Sequence, residues 1–335
     1  MHSLSLRRLQ CLLILAGSIA LPAAAGSAEV IPLYSLNLNP LVQIYGLPAL
    51  GEARVLNKNE ANVSLRAQIA NNSNSASNQV EKLFLDGETH RLALMMRRGF
   101  DDGYEWGIEL PYLSHSGGFM DNFIERWHET FGLPKGDRQV TPPNQINYRY
   151  TRNGADLVRV TQSAEGLGDI RLSGAVQLAR NSGERMVALR GSLKLPTGDS
   201  ATLLGSGSTD LALWLSIAPA SPSGDAWNGY GGGGILLMTE GDVLPQQQEN
   251  YIGFATVGLS RRIISSLTFN AQLDAQTPFY TGSGFRQLSA YALQGLLGAS
   301  WEFSPKKYLE MSFSEDLEVN TSPDFVFNLS LTFPF

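Results

Sequence analysis

The chain has 335 residues, 43 % hydrophobic and 17 % charged, with a formal net charge of −6 at neutral pH. This acidic balance gives no support to nucleic-acid binding. The single cysteine, Cys11, leaves no pair for a disulfide and no cysteine cluster for a metal.

Residues 1–25 have the pattern of a secretory signal: Arg7 and Arg8 form a basic start, followed by a mainly apolar run from Leu9 to Leu21. That run is too short to span a bilayer as a helix. Cleavage is expected after Ala25 or Ala28. It would remove Cys11, together with two positive charges, so the net charge moves from −6 to −8. Gln10 before Cys11 does not fit a lipid-anchored cysteine. No later stretch is long and apolar enough for a membrane helix. The mean hydropathy of −0.09 suits a wall whose apolar half is hidden in alternation.

Residues 26–59 form an N-terminal segment punctuated by Pro32, Pro40 and Pro48 and interrupted by Asn37 and Asn39. Proline argues against a central strand. The segment is expected either to run through or beneath a lumen as a plug, or to be a flexible leader.

A series of alternating runs follows, making residues 60–335 one β-domain. In Ala61–Ile69, Val63, Leu65 and Ile69 face one way and Asn62, Ser64, Arg66 and Gln68 the other. Residues 71–87, opening on an Asn/Ser run, are expected as a loop. Residues 88–98 and 103–113 form a hairpin across Phe100-Asp101-Asp102-Gly103. In its second strand Tyr104, Trp106, Ile108, Leu110 and Tyr112 oppose Glu105 and Glu109.

Residues 114–167 are a long excursion. Asp121–Phe131 is expected to be a helix, with Asp121 as N-cap and Gly132 and Pro134 as stop signals. Phe123, Ile124, Trp127 and Phe131 share its apolar face. Tyr148–Thr151 and Leu157–Thr161 are expected to pair across Asn153-Gly154. Further strands are expected at 170–180, 185–195, 210–217, 228–238, 251–260, 265–275, 288–301, 307–314 and 325–335.

The last stretch, Phe325–Phe335, alternates Phe, Phe, Leu, Leu, Phe and Phe with mostly small polar residues. Its length suits a tilted strand crossing a bilayer. The terminal Phe335 resembles the signature by which the barrel assembly machinery recognises outer-membrane proteins. The count reaches about twelve strands, with long and short connections alternating, the plan of a transmembrane antiparallel β-barrel. The fold class is therefore all-β, with one helix in a long extracellular loop.

If the large apolar face meets lipid, the opposite face lines the lumen. On β-segments of the first half it carries Arg66, Arg91, Glu105, Glu109 and Arg171. Later segments add Arg190, Lys194, Asp210, Asp274 and Glu310. Charge on the lipid side costs about 2–4 kcal/mol near the midplane, so these residues should point inward. They form either a salt-bridged interior that stiffens the barrel or a polar path for a solute.

Several segments carry a resemblance: Leu85-Asp86-Gly87-Glu88-Thr89, Glu109-Leu110-Pro111-Tyr112, Asp121 through His128, and Phe131-Gly132-Leu133-Pro134. Gly166-Leu167-Gly168-Asp169-Ile170, Leu193 through Asp199, and Gly207-Ser208-Thr209-Asp210-Leu211 belong to the same set. Together they resemble an uncharacterised family of Gram-negative outer-membrane proteins, a domain of unknown function. The Gly-Leu-Gly-Asp and Leu-Pro-Thr-Gly-Asp segments are also similar to barrels linked to uptake of aromatic compounds. The resemblance implies an outer-membrane location and brings no catalytic residues.

The densest polar group lies in the excursion. Ser116, His128 and Asp121 are candidates for a hydrolytic site on lipid. The His-x-Ser-Asn-Gly signature of barrel phospholipases is replaced here by His115-Ser116-Gly117-Gly118. His115 and His128 lack ligand spacing for a metal. The competing expectation is a cap over the barrel mouth built from Asp121, Glu125, Trp127, His128 and Phe131. The function expected is passive passage or binding of a small solute, with outer-membrane lipids as surroundings and no cofactor. A lipid-modifying enzyme and a closed structural barrel are the alternatives.

Overall fold

The computed structural model describes residues 30–118, 145–180, 185–222, 226–318 and 321–335. Its strands are β1 (Ala61–Ser77), β2 (Glu81–Asp101), β3 (Tyr104–Ser116), β4 (Asn147–Arg152), β5 (Ala155–Val160) and β6 (Ala164–Leu167). They continue with β7 (Arg171–Arg180), β8 (Arg185–Lys194), β9 (Asp210–Pro219), β10 (Asn228–Met238) and β11 (Tyr251–Ile264). The last are β12 (Leu267–Gln276), β13 (Ala292–Ser304), β14 (Lys307–Asp316) and β15 (Phe325–Pro334).

Twelve of these strands close a ring. The order runs β1, β2, β3, β7 and then consecutively to β15, which returns to β1. The closing seam is antiparallel, from Asn62 opposite Pro334 to Asn71 opposite Phe325. Closure leaves no open strand edge around the ring, as a hydrocarbon surrounding requires. β4, β5 and β6 stand outside the ring. β4 pairs with the first residues of β2, from Glu81 to Asp86, and β6 with the last residues of β3.

The alternation seen in the sequence decides which way each strand faces. On β3, Trp106, Leu110 and Tyr112 are exposed outward while Glu105 and Glu109 are buried. Leu92 and Leu94 on β2, and Leu211, Leu213 and Leu215 on β9, are likewise exposed. An outer surface this apolar is suited to lipid. Ring contacts among Trp301, Phe303 and Phe333 lie near the short-turn end, and those of Phe313 with Phe325 and Phe327 near the other. Aromatic girdles at both boundaries belong to this architecture.

One sequence expectation changes. Residues 71–77 and 81–87 are not a loop: β1 and β2 continue as a ladder, from Asn71 opposite Glu88 to Ser77 opposite Lys82. Beyond the hydrocarbon layer neither face need be apolar, so alternation disappears while backbone pairing persists. Only residues 78–80 join the two strands. The expected β4–β5 hairpin does form, with Asn153 at φ 51° and Gly154 at φ 79°. Positive φ at both positions is what a tight primed turn requires.

The expected helix Asp121–Phe131, and with it the cap residues Asp121, Glu125, Trp127, His128 and Phe131, lies outside the described residues. So does the expected signal segment. Among the described residues, helix is confined to single turns at Ser200–Thr202 and Arg286–Ser289.

Candidate functional site

Residues 30–59 occupy the inside of the ring. An ascending limb starts near the short-turn end, an apex reaches the long-loop end, and a descending limb returns to β1. Leu33, Leu38, Leu41, Ile44, Tyr45 and Val55 on this segment are fully buried. The chain supplies little backbone pairing of its own here, so the wall must satisfy its amides and carbonyls.

The descending limb is held mainly by β3, β7, β8 and β9. The Gly46 N–H donates to the Asp210 carboxylate at 2.7 Å. Arg171 donates to the Tyr45 and Leu47 carbonyls at 3.0 and 3.2 Å. The Trp214 indole N–H and the Ser216 hydroxyl both donate to the Leu50 carbonyl, at 2.6 and 2.8 Å. Arg190 donates to the Glu52 and Arg54 carbonyls. Gln177 accepts from the Val55 N–H and donates to the Ala53 carbonyl. Finally the Leu56 N–H donates to Glu105 at 2.9 Å.

The same side chains form an ionic network. Glu105 receives Arg97 through both carboxylate oxygens, at 3.1 and 3.0 Å, and Arg190 at 2.8 Å. Arg97 also meets Glu52 of the descending limb at 3.1 Å. Glu109 is paired closely with Arg91, while Arg66 and Arg171 stand 3.9 and 4.0 Å from it. Nearer the long-loop end Lys194 bridges Asp169 at 2.6 Å and Asp210 at 3.3 Å. Two-sided pairing of this kind keeps buried charge affordable.

The ascending limb meets β12, β14 and β1. Gln272 accepts from the Leu33 N–H at 3.1 Å and donates to its carbonyl at 3.3 Å. The Tyr34 N–H donates to Glu310 at 2.9 Å. The Tyr34 ring lies under the Arg66 guanidinium, 3.8 Å from its centroid, and its hydroxyl donates to Glu109. Asp274 accepts from Thr256 at 2.7 Å.

The ten residues read from the sequence as lumenal therefore all take part in side-chain contacts with one another, the inner segment or the interior wall. Arg97, Gln177, Trp214, Tyr34 and Glu52 were missed. Arg97 lies six residues after Arg91 on β2, in phase with it, so the signal was present. Trp214 is in phase with Asp210, but its apolar ring reads as lipid-facing. Tyr34 and Glu52 lie in a segment with no period.

At the long-loop end the apex packs against residues of the loops. Leu41, Val42, Ile44 and Tyr45 pack with Leu203, Val243, Leu244, Phe279 and Tyr280 in one apolar cluster. Tyr45 stacks on Phe279 at 5.1 Å, and the Tyr280 hydroxyl donates to the Leu41 carbonyl at 2.9 Å. At the short-turn end a cavity of about 910 Å³ opens between the two limbs and the wall. Tyr34, Pro48, Arg66, Met95, Arg171 and Trp214 are among its lining residues.

Glu60 closes the descending limb at the mouth of this cavity. Partial burial pushes its carboxyl up, but the Asn57 N–H and the Arg54 and Lys306 charges outweigh this and bring its pKa to about 2.

Of the hydrolase candidates, Ser116 ends β3 opposite Glu88. Asp121 and His128 lie outside the described residues. Among the described residues no group of acids and histidines is arranged to hold a metal.

The chain belongs to the family of proteins of unknown function DUF3187, whose model matches residues 9–335. No curated protein matches it. Among solved structures it is similar to the COG4313 outer membrane channel from Pseudomonas putida F1. That similarity has 15 % identity and a TM-score of 0.56, covering 85 % of this chain and 98 % of the other. It is also similar to the KdgM porin, at 8 % identity and a TM-score of 0.44, covering 82 % and 99 %. The CymD monoaromatic hydrocarbon channel is similar at 14 % identity and a TM-score of 0.41, covering 89 % and 91 %. At such identities the likeness concerns the fold.

Proposed function

We propose that this DUF3187 member is a passive channel of the Gram-negative outer membrane that admits a small solute, with residues 30–59 as its internal gate. The observation that carries the reading is the asymmetry of the lumen. A cavity of about 910 Å³ opens at the short-turn end, while at the long-loop end the apex packs against loop residues through apolar side chains. A purely structural barrel has no need of a vestibule lined by unlike charges. Passage requires no reaction; selectivity comes from the side chains that line the route. Shifting the apex out of the apolar cluster would join the vestibule to the outside.

The test is conductance of the purified chain in planar bilayers. The intact protein should show low or intermittent conductance. Deletion of residues 26–45 removes the ascending limb and apex but keeps the descending limb on its arginine wall. That variant should open steadily. A folded, heat-modifiable deletion variant that conducts no better than the intact chain sinks the channel and leaves a closed structural barrel.

A further inference from the structure

We infer that the cavity is a binding site for a small organic monocarboxylate with an apolar body, held through Arg66 and Arg171. This rests on the channel reading only for its purpose; the site itself stands on geometry.

The cations of the cavity fall into two groups. Arg54 and Lys306 pair with Glu60, and Arg97 and Arg190 with Glu105. These are neutralised by close partners. Arg66 and Arg171 are not: the nearest carboxylate to each is Glu109, at 3.9 and 4.0 Å, and Arg91 already occupies it at close range. Among the described residues the only hydrogen bond of Arg66 goes to the Met95 thioether, a weak acceptor, at 3.0 Å. The Nε of both arginines has no hydrogen-bond partner among the described residues. One carboxylate is therefore shared by three guanidiniums; Arg171 also donates to the Tyr45 and Leu47 carbonyls, so Arg66 is the less satisfied of the two that line the cavity.

A guanidinium fork matches a carboxylate in geometry and charge. That Glu109 lies within 4.0 Å of both arginines puts a second, solute-borne carboxylate within common reach of the pair. Beside this polar spot, Tyr34, Pro48, Met95, Met186 and Trp214 give the cavity an apolar surface, alongside serines and further charged groups. The Tyr34 ring is already stacked on Arg66 and holds its fork in place. A cationic anchor beside an apolar surface suits a small molecule with a carboxylate head and an apolar body. A neutral hydrocarbon would leave both arginines as they are. A polyanion would face Glu52, Glu60 and Glu310, which also line the cavity.

The experiment is calorimetric titration of the full purified chain in detergent with benzoate, hexanoate, benzyl alcohol and inorganic phosphate. Benzoate and hexanoate should bind saturably. Benzyl alcohol should bind about tenfold more weakly or worse, since a charge-assisted pair is lost. Arg66→Gln and Arg171→Gln should each weaken benzoate by about tenfold. Arg66→Lys, which keeps the charge and loses the fork, should weaken it less and guards against misfolding. No saturable benzoate binding overturns the inference. So does phosphate binding as tightly as benzoate, or binding unchanged in the folded Arg66→Gln and Arg171→Gln variants. If benzoate binds but neither the intact nor the deleted chain conducts, the channel fails and the site survives. Conductance without benzoate binding gives the opposite result.

Discussion

The two sides of the lumen treat the inner segment differently. Along β3, β7, β8 and β9 the wall offers arginines, an indole and a glutamine, and these meet the backbone of the descending limb from Tyr45 to Leu56. Along β12, β13 and β14 the wall offers mainly amides and hydroxyls, and several stay unused. The Asn270 side-chain amide, Gln276 Nε2, Gln294 Nε2 and Ser314 Oγ are buried with no partner among the described residues. An arginine reaches several carbonyls at once and is itself anchored by a carboxylate. An amide aligned for one partner stays idle when the backbone passes out of reach. The descending limb thus has the denser set of contacts to the wall, and the ascending limb the sparser.

The largest effect should come from breaking the arginine side. Glu105→Leu leaves Arg97 and Arg190 buried without their shared anion, a loss of about 3–5 kcal/mol. Denaturant unfolding in detergent micelles, read by the gel shift of folded barrel, measures it. A loss under about 1 kcal/mol would mean that this side is no firmer than the other.

Leu94→Arg tests the frame on which both sides depend. Leu94 is 47 % exposed on the outer face of β2. A charge there should cost about 2–4 kcal/mol if the face meets hydrocarbon. Reconstitution into bilayers of short lipids gives the value, and an unchanged stability contradicts the lipid-facing assignment.

Gly46→Ala acts on one anchoring point of the descending limb. A Cβ at position 46 would lie 2.9 Å from the Asp210 Cβ and 3.2 Å from the Lys194 Cβ. Overpacking of this order costs about 1–3 kcal/mol. It should also raise basal conductance by loosening the turn out of the apex.

On the amide side the effects should be small. Asn270→Leu removes a fully buried amide that bonds to nothing described. Stability should change by less than about 1 kcal/mol, in either direction, because no partner is orphaned. A large loss would reveal a bond that makes the two sides equal.

The smallest effect is the pH dependence at Glu60. Its folded pKa of about 2 lies below the ordinary 4.5, so its contribution is complete above pH 4.5. It is lost as the pH falls toward 2. Glu60→Gln should flatten that part of an acid-unfolding curve. An unchanged curve removes the tie between Glu60 and Lys306.

Much of the frame was legible because hydrocarbon on one side and polar groups on the other impose a two-residue period. That period located the twelve ring strands, including the Gly-rich β10, and put Glu105, Glu109, Arg190 and Lys194 on the interior face. It stopped at Asn71, where β1 rises out of the membrane and nothing forces one face to be apolar. It also does not single out Trp214, whose indole N–H is spent on the Leu50 carbonyl rather than turned toward lipid.

The alternation of Phe325–Phe335 and of its eleven partner strands is a local property, and it alone determined the barrel and its inward charges. Which arginine pairs with which acid was not local. Arg66, Arg91 and Arg171 converge on Glu109 only because β1, β2, β3 and β7 become neighbours in the sheet, β7 beside β3 across the excursion. The path of residues 30–59 was decided the same way: a segment without period has no face of its own, and the wall that surrounds it supplies the hydrogen bonds that fix its course.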